Sequence, residues 1–230
     1  MKVMIVVTHL LGTGHLSRAL TLGRAFQEAG DTVEIVSGGF PAPQLGTEGI
    51  TLLQLPPLRS DGVNFTQLLT PSGALADERY YHQRQSALCQ ALQHLQPDLL
   101  ITELYPFGRR SLRHEFRALL QAAKVLPKPP KILASIRDIL APPSKPEKAV
   151  KADAVIAEFY DAVLVHSDPQ ATRLDLSWPV SDRLAAKVHY TGFVAPAAAG
   201  PPHRAPPRRA THRRTARSPR GTTAHRHRGR

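Results

Sequence analysis

The chain opens on an uninterrupted run of apolar residues, which a glycine-rich stretch and a helical pattern follow. Residues 3–7 are all apolar and show no alternation with polar residues, which is typical of a strand covered on both faces in a parallel sheet. Residues 8–15 include Gly12 and Gly14, and from Leu16 apolar residues recur at helical spacing as far as Gly30. The pattern predicts a strand, a loop and a helix whose N-terminal N–H groups favour an anion such as phosphate.

Short apolar segments and helical patterns alternate from there to Phe193. Strands are predicted at Thr32–Val36, Ile50–Leu55, Leu99–Ile101, Lys131–Ser135, Ala162–Val165 and Lys187–Tyr190. Three further helices are predicted. The first is capped by Asp77 and buries Tyr81, Leu88, Ala91, Leu92 and Leu95, and the second buries Leu112, Phe116, Leu119, Leu120 and Ala123. The third runs from the capping box Ser144-x-x-Glu147 to Phe159. Residues 59–76 are expected to form a partly ordered surface loop. The alternation predicts an α/β fold, with a Rossmann-like, doubly wound and mostly parallel sheet in a domain of residues 1–193.

Charge divides the chain at the same place. The formal net charge is +12, but the residues after Val194 contain 10 Arg and no acidic residue, which leaves the first 194 residues a net charge of +2. Residues 195–230 consist of Ala, Pro, Gly, His, Arg, Thr and Ser alone, so they cannot build an apolar core. Residues 194–230 are therefore predicted to be a disordered tail. No nucleic-acid partner is expected, although an Arg-rich arm that binds nucleic acid or anionic lipid is an alternative.

Other features of the composition favour a cytoplasmic protein. A single cysteine, Cys89, excludes an internal disulfide and fits a reducing compartment. The apolar run at residues 3–7 is too short to span a membrane. The histidines are dispersed and suggest no metal site, and Ser17 replaces the third glycine of a dinucleotide-binding Gly-x-Gly-x-x-Gly loop. Neither a metal nor a cofactor is expected.

Candidate site residues cluster where the predicted strands end. The set consists of Gly12, Gly14, His15, Glu103, Arg109, Arg137, Asp138, His166 and Asp168. Ligands of open α/β sheets bind along this edge. His15 and Arg18, one helical turn apart, suit a diphosphate or a reacting hydroxyl. A plainer reading remains open for each residue, since glycines make tight turns and aspartates cap helices in any fold of this class.

Four spaced motifs resemble those of a known family. They are Gly-x-Gly-His-Leu-x-Arg at residues 12–18, Tyr-Pro-x-Gly-Arg-Arg at 105–110, Ser-x-Arg-Asp-Ile at 135–139 and Tyr-Thr-Gly-Phe at 190–193. They resemble the MurG-like GT-B glycosyltransferases, which are related to the lipid-linked N-acetylglucosaminyltransferases of bacterial cell-wall synthesis, and more closely a bacterial group of predicted glycosyltransferases. The resemblance implies the N-terminal, acceptor-binding half of a GT-B fold. The C-terminal half of such enzymes binds the nucleotide-sugar donor.

The resemblance also implies a reaction and roles for the candidate residues. A sugar would pass from a nucleoside diphosphate sugar to a hydroxyl of an acceptor such as a lipid-linked molecule or a polysaccharide. His15 is the expected base and Asp138 the second candidate base. The expected phosphate-binding or acceptor-binding residues are Gly12, Gly14, Arg18, Glu103, Arg109 and Arg137. Association with the inner face of the membrane fits such an acceptor.

We expect that a frameshift replaced the donor domain by the Arg-rich tail, which leaves a truncated protein, inactive or nearly so by itself. Two alternatives concern how the chain works. A nucleotide-sugar hydrolase would use a similar His-bearing loop with water as the acceptor. A non-catalytic half would pair with a separate donor-domain protein.

Overall fold

Seven parallel strands form one sheet in the computed structural model, which describes residues 1–63 and 65–195. The strands are β1 (Lys2–Val7), β2 (Thr32–Ser37), β3 (Thr51–Gln54), β4 (Leu99–Glu103), β5 (Lys131–Arg137), β6 (Ala162–His166) and β7 (Val188–Tyr190). The helices are α1 (Gly14–Glu28), α2 (Glu78–Leu95), α3 (Arg113–Lys124), α4 (Pro146–Phe159) and α5 (Asp182–Ala185), with 3-10 turns at Arg110–Leu112 and Leu174–Leu176. The predicted Rossmann-like α/β fold is confirmed, and every strand pair in the described residues is parallel.

Strand β1 lies at the centre because both of its faces are apolar. Its Ile5 is in register with Ile35 of β2 and Ile101 of β4. Val3, Ile5 and Val7 pack with α1, while Met4 and Val6 belong to the larger core that α2, α3 and α4 cover. Helix α1 approaches β2 closely at Gly23, where an added Cβ would lie 3.2 Å from Ile35 Cδ1. Apolar helices on both faces therefore bury the sheet.

The strand order is β3-β2-β1-β4-β5-β6-β7, so the direction of winding reverses between β1 and β4. Such a reversal opens a crevice at the carboxyl ends of the two strands, where open α/β sheets bind ligands. The loops that follow β1 and β4 lie on either side of that crevice. The order therefore brings residues 8–13 next to residues 104–109.

Two details of the predicted elements are wrong. Helix α4 has Lys145 as its N-cap without a side-chain cap, Pro146 begins the helix, and Ser144 Oγ accepts a hydrogen bond from Lys148 Nζ at 2.5 Å. The predicted capping box is therefore absent, since Pro146 sets the helix start and Ser144 lies one residue before the N-cap Lys145. Strands β4, β5 and β6 also extend further than predicted, so that Glu103, Arg137 and His166 are their last residues.

Helix α2 confirms its predicted cap but buries an unpredicted charge. The side chain of Asp77 accepts a hydrogen bond from the Tyr80 N–H at 2.8 Å. Leu88, Ala91 and Leu92 are buried as predicted, whereas Tyr81 and Leu95 are only partly buried. Arg84, which lies between Tyr81 and Leu88 in the sequence, is fully buried and binds Glu115 of α3. A charged residue thus occupies a position on the buried face of α2.

The connection between β3 and α2 is more ordered than predicted. Antiparallel bridges join Arg59 to Leu69 and Leu69 to Leu75, and Leu68 is buried in the main core. Residues 196–230 lie outside the described part of the chain. The predicted disordered tail and the frameshift fall on those residues and stay predictions.

Candidate functional site

The loop between β1 and α1 brings His15 and Arg18 to the crevice. Gly12 has a φ of +63°, a left-handed conformation that glycine adopts without strain, and it turns the chain into α1 at Gly14. An added Cβ on Gly12 or Gly14 would meet no atom within 4 Å, so both glycines border open space. Thr13 makes no side-chain cap and the first turn of α1 has no acidic residue. The helix therefore presents its positive end to the crevice without an acidic residue of its own.

A buried carboxylate binds both side chains. Glu103 ends β4 with 1 % of its side chain exposed, and its Oε1 lies 3.0 Å from His15 Nδ1 and 3.2 Å from Arg18 Nη2. Burial acts to raise the pKa of Glu103, but the hydrogen bond with His15 and the charge of Arg18 outweigh burial and hold that pKa below its usual value. Glu103 is therefore ionised at neutral pH and can only accept hydrogen bonds.

This ionised state fixes the orientation and tautomer of neutral His15. Its Nδ1 must carry the proton that the carboxylate accepts, so Nε2 keeps its lone pair. The side chain of His15 is 23 % exposed, and Nε2 makes no hydrogen bond within the described residues. The arrangement leaves a lone pair on Nε2 of a partly exposed ring, backed by a buried anion that stabilises the imidazolium formed when that nitrogen takes a proton.

A second set of hydrogen bonds holds the other oxygen of Glu103. Ser135 Oγ donates to Glu103 Oε2 at 2.5 Å and lies 2.9 Å from His166 Nε2, and His166 Nδ1 lies 2.7 Å from Thr191 Oγ1. Burial lowers the pKa of His166 to about 4, and the charge of Arg18 adds to this effect while that of Glu103 opposes it. His166 is therefore neutral at pH 7.

Arg109 fastens the two crevice loops together. It adopts a left-handed φ of +57° and its Nε donates a hydrogen bond to the carbonyl oxygen of Thr8, in the loop after β1. Burial lowers the pKa of Arg109 to about 10, an effect that the charge of Glu103 opposes. The guanidinium stays charged at pH 7 and adds positive charge beneath the loop.

Two clefts border the glycine loop. The larger one, of about 550 Å³, is lined by loop residues that include Leu10, Leu11 and Gly12, by the apolar residues Phe40 and Pro41, and by Arg59 and Asp61. The smaller one, of about 280 Å³, is lined by residues that include Gly14, Arg18, Arg137, Asp138 and His166. The first cleft combines apolar surface with the charged residues Arg59 and Asp61, and the second contains two arginines beside Asp138.

Solved structures provide the comparison that decides the fold. No protein-family model and no curated protein matches the sequence. UGT2 of Phytolacca americana, solved with UDP-2fluoro-glucose and pterostilbene, is 12 % identical, and the match covers 86 % of this chain and 55 % of that one with a TM-score of 0.51. A glycosyltransferase from Rickettsia africae also matches at 13 % identity, over 82 % of this chain and 42 % of that one, with a TM-score of 0.49. MurG of Acinetobacter baumannii matches at 16 % identity, over 78 % of this chain and 43 % of that one, with a TM-score of 0.47.

The chain has the fold of one half of a GT-B glycosyltransferase. It spans about half the length of the solved structures it matches. The four spaced motifs, which lie between residues 12 and 193, all belong to this GT-B half.

Most of the candidate residues of this GT-B half meet in the crevice, but their positions differ. His15, Arg18 and Glu103 are in direct contact, while Arg137 and Asp138 line the smaller cleft with Gly14. Glu103 was expected to contact a ligand, yet it is buried beneath His15, so its position favours an orienting role. Asp168 lies outside both sets of lining residues and accepts a hydrogen bond from the Gln170 N–H, as in a turn.

Asp138, the second candidate base, is bound to its neighbour. Its carboxylate accepts a hydrogen bond from Arg137 Nε at 3.0 Å. Burial acts to raise the pKa of Asp138, but the bond from Arg137 and backbone hydrogen bonds outweigh it and lower that pKa. A carboxylate with a lowered pKa is a weak base, and its cation partner already occupies it.

Sequence reasoning missed Ser135 and Thr191 as parts of the site. Both lie inside motifs that the sequence analysis singled out, Ser-x-Arg-Asp-Ile and Tyr-Thr-Gly-Phe; Ser135 lies two residues before the end of β5 and Thr191 directly follows β7. Their position was the available signal. In the part of the chain that the structure covers, no group of three or more His, Cys, Asp or Glu side chains is placed to hold a metal. None of the described helices combines the length and apolarity needed to cross a bilayer.

Proposed function

We propose that this chain is the acceptor-side half of a glycosyltransferase, which transfers a sugar from a nucleoside diphosphate sugar to an acceptor hydroxyl with His15 as the base. One observation carries the proposal: buried Glu103 binds His15 Nδ1, while His15 Nε2 has no hydrogen-bond partner among the described residues and the side chain is 23 % exposed. The fold shared with UGT2 of Phytolacca americana, a structure solved with a UDP-sugar analogue and pterostilbene, supports the same reaction class.

The reaction needs a proton acceptor and a site for the departing diphosphate. His15 Nε2 takes the acceptor hydroxyl proton while the acceptor oxygen forms a bond to the anomeric carbon of the sugar. The bond from that carbon to the diphosphate oxygen breaks, and the diphosphate leaves with the electron pair. The carboxylate of Glu103 stabilises the imidazolium as it forms, because the two groups are 3.0 Å apart and Glu103 is buried.

The two clefts suit the two substrates. In this proposal the smaller cleft, with Arg18 and Arg137, holds phosphate oxygens, since guanidinium groups bind such oxygens through paired hydrogen bonds. The larger cleft, with Leu10, Leu11 and Phe40, holds an acceptor that carries an apolar portion, as a lipid-linked acceptor does. Peripheral association with a membrane would follow from such an acceptor.

The donor nucleotide would bind mainly to a second half. The described residues form one of the two halves of a GT-B fold, and the other half would come from the full-length protein or from a separate subunit. The 230-residue chain assayed by itself is then expected to transfer sugar poorly.

Product analysis with labelled nucleoside diphosphate sugars tests the proposal. The chain is incubated alone and with a separately expressed donor-binding half of a GT-B enzyme, in each case with and without a panel of lipid-linked and polysaccharide acceptors. Transfer predicts label on an acceptor in the mixed sample. Label released only as free sugar, at the same rate without acceptor, would replace transfer by hydrolysis, and label on no acceptor in any sample would count against the proposal.

A further inference from the structure

We propose that Ser135 and His166 are positioning residues, which together with Thr191 hold Glu103 in one orientation and so keep His15 in the tautomer with the proton on Nδ1. The catalytic consequence rests on the proposed function. The arrangement itself does not, since it follows from hydrogen-bond distances and from which atoms can donate.

The argument begins at Glu103, because an ionised carboxylate has no proton to donate. The short contact of 2.5 Å between Ser135 Oγ and Glu103 Oε2 must then use the hydroxyl proton of Ser135. A serine hydroxyl carries one proton, so Ser135 has none left for His166. Ser135 Oγ therefore acts only as an acceptor toward the ring of His166.

That requirement sets the tautomer of His166. Its Nε2, 2.9 Å from Ser135 Oγ, must carry the ring proton. In a neutral ring Nδ1 then carries a lone pair, and the hydroxyl of Thr191 at 2.7 Å is its donor. Each bond fixes the direction of the next, and the protons point from Thr191 toward Glu103.

The sheet register places the members of this chain of bonds side by side. Glu103 of β4 is the direct partner of Ser135 in β5, and Arg137 of β5 is the partner of His166 in β6. The Thr191 N–H donates to the carbonyl oxygen of Val165 at 3.0 Å, which fastens the residue after β7 to β6. The hydrogen bonds therefore run across the carboxyl edge of four neighbouring strands, on a rigid base.

His15 depends on the Ser135 hydroxyl because that hydroxyl binds one of the two carboxylate oxygens of Glu103. Glu103 Oε2 is held by Ser135, so Oε1 is the oxygen that faces His15 and Arg18. Loss of the Ser135 hydroxyl would leave Oε2 buried without a donor and free the carboxylate to rotate. His15 would then lose a fixed acceptor for its Nδ1 proton, and both tautomers would be populated.

The test reads tautomers directly, by nuclear magnetic resonance of the full chain with 15N-labelled histidine, at a pH where the rings are neutral and with no sugar present. Signals are assigned by their loss in His15→Gln and His166→Gln. The native protein is expected to show the Nδ1–H form of His15 and the Nε2–H form of His166. Ser135→Ala is expected to convert His15 to a mixture of the two forms.

A matched control separates positioning from a general loss of a buried hydroxyl. Thr102 is fully buried one residue before Glu103, and its hydroxyl bonds to Tyr160 and not to Glu103. Thr102→Val removes a buried hydroxyl from the same sheet and is expected to leave both histidine tautomers unchanged. An unchanged single form of His15 in folded Ser135→Ala would overturn the proposal.

A second pair of variants keeps the proposal open to test if Ser135→Ala does not fold. His166→Gln retains an N–H donor for Ser135 and is expected to keep His15 in the Nδ1–H form, whereas His166→Leu removes that donor and is expected to yield a mixture. Equal tautomer populations in the two variants would overturn the proposal. Because no sugar is present, these results stand apart from success or failure of the transfer assay.

Discussion

Two buried glutamates in this domain, Glu115 and Glu103, both bind arginine but are used differently. Glu115 is bound by Arg84 through both carboxylate oxygens, with Nε to Oε2 at 3.0 Å and Nη2 to Oε1 at 2.9 Å, and both side chains are almost wholly enclosed. Glu103 binds two partners through the one oxygen Oε1, and these partners, His15 and Arg18, are 23 % and 15 % exposed. The first pair is closed and the second opens to the crevice.

The difference separates a structural ion pair from a candidate chemical site. Arg84 also donates to the carbonyl oxygens of Gly38 and Pro56, so its guanidinium joins α2 and α3 to the chain after β2 and after β3, and its complete burial keeps it out of reach of a ligand. At Glu103 the surrounding residues leave His15 Nε2 free and place Arg18 at a cleft. Burial of a charged pair is therefore weak evidence for a site, whereas a buried charge with a partly exposed partner is better evidence.

Removing Arg84 is expected to produce the largest loss of stability. Arg84→Met leaves the Glu115 carboxylate buried without a cation, which is expected to lower the free energy of unfolding by about 3–5 kcal/mol. Urea unfolding of the full chain measures this change. The double variant Arg84→Met with Glu115→Leu should recover much of the loss, because neither charge then remains unpaired. A loss below about 1 kcal/mol for Arg84→Met would contradict the structural role.

Acidification is expected to weaken the open site next. The pKa of His166 is about 4 in the folded chain and 6.5 for an unperturbed histidine, so the unfolded chain takes up the proton first as pH falls. The neutral ring of His166 contributes fully to the free energy of unfolding above pH 6.5. This contribution, of up to about 3 kcal/mol, is lost as the pH falls toward 4. His9, whose pKa burial also lowers, acts in the same direction.

The control for this pH dependence is His166→Gln, which cannot titrate. Its free energy of unfolding, measured by urea at several pH values, should vary less between pH 6.5 and 4 than that of the native chain. Identical slopes for the two proteins would show that His166 is not held neutral in the fold.

Neutralising Glu103 is expected to have a smaller effect on stability than removing Arg84. Glu103→Gln keeps the side-chain volume and one carbonyl oxygen, but it leaves Arg18 without its anion and places amide protons against donors. The free energy of unfolding should fall by about 1–3 kcal/mol, and His15 should lose its single tautomer. Thermal unfolding and histidine resonances report these two changes separately. A stable Glu103→Gln chain with an unchanged His15 signal would refute the orienting role of Glu103.

An exposed pair sets the lower end of the comparison. Arg117 and Glu158 join α3 to α4 at 3.2 Å, with 41 % and 50 % of their side chains exposed. Water screens such pairs, so Glu158→Gln is expected to change the free energy of unfolding by less than about 1 kcal/mol. A change as large as that of Arg84→Met would undo the distinction between closed and exposed pairs.

The sequence predicted the parts of the fold that local pattern determines. The run at residues 3–7, the glycines and the α1 spacing lie within 30 residues of each other, and the structure confirms all three. Strand β4 was predicted too short because Thr102 and Glu103 are polar, and only their neighbours in the sheet explain why they are buried. Arg84 stood at a helical position between Tyr81 and Leu88, but its charge argued for exposure until Glu115 was known.

The candidate site was predicted as a region and not as a set of contacts. Parallel strands bring their carboxyl ends to one edge, which is why Glu103, Arg137 and His166 were expected there. The bond between His15 and Glu103 joins residues 88 positions apart, and no local pattern specifies it. The same is true of the Ser135 hydroxyl, whose role depends on strand register and on the ionised state of Glu103.

The most direct test of the account compares the rate of sugar transfer by His15→Gln with that of the native chain, in the presence of the donor-binding half. His82→Gln, an exposed substitution on α2, is the matched control. Loss of a general base predicts a fall of about 10²–10⁴-fold for His15→Gln, with no change for His82→Gln and with both variants as stable as the native chain. Equal transfer rates for native and His15→Gln chains would contradict the central claim that His15 takes the acceptor proton.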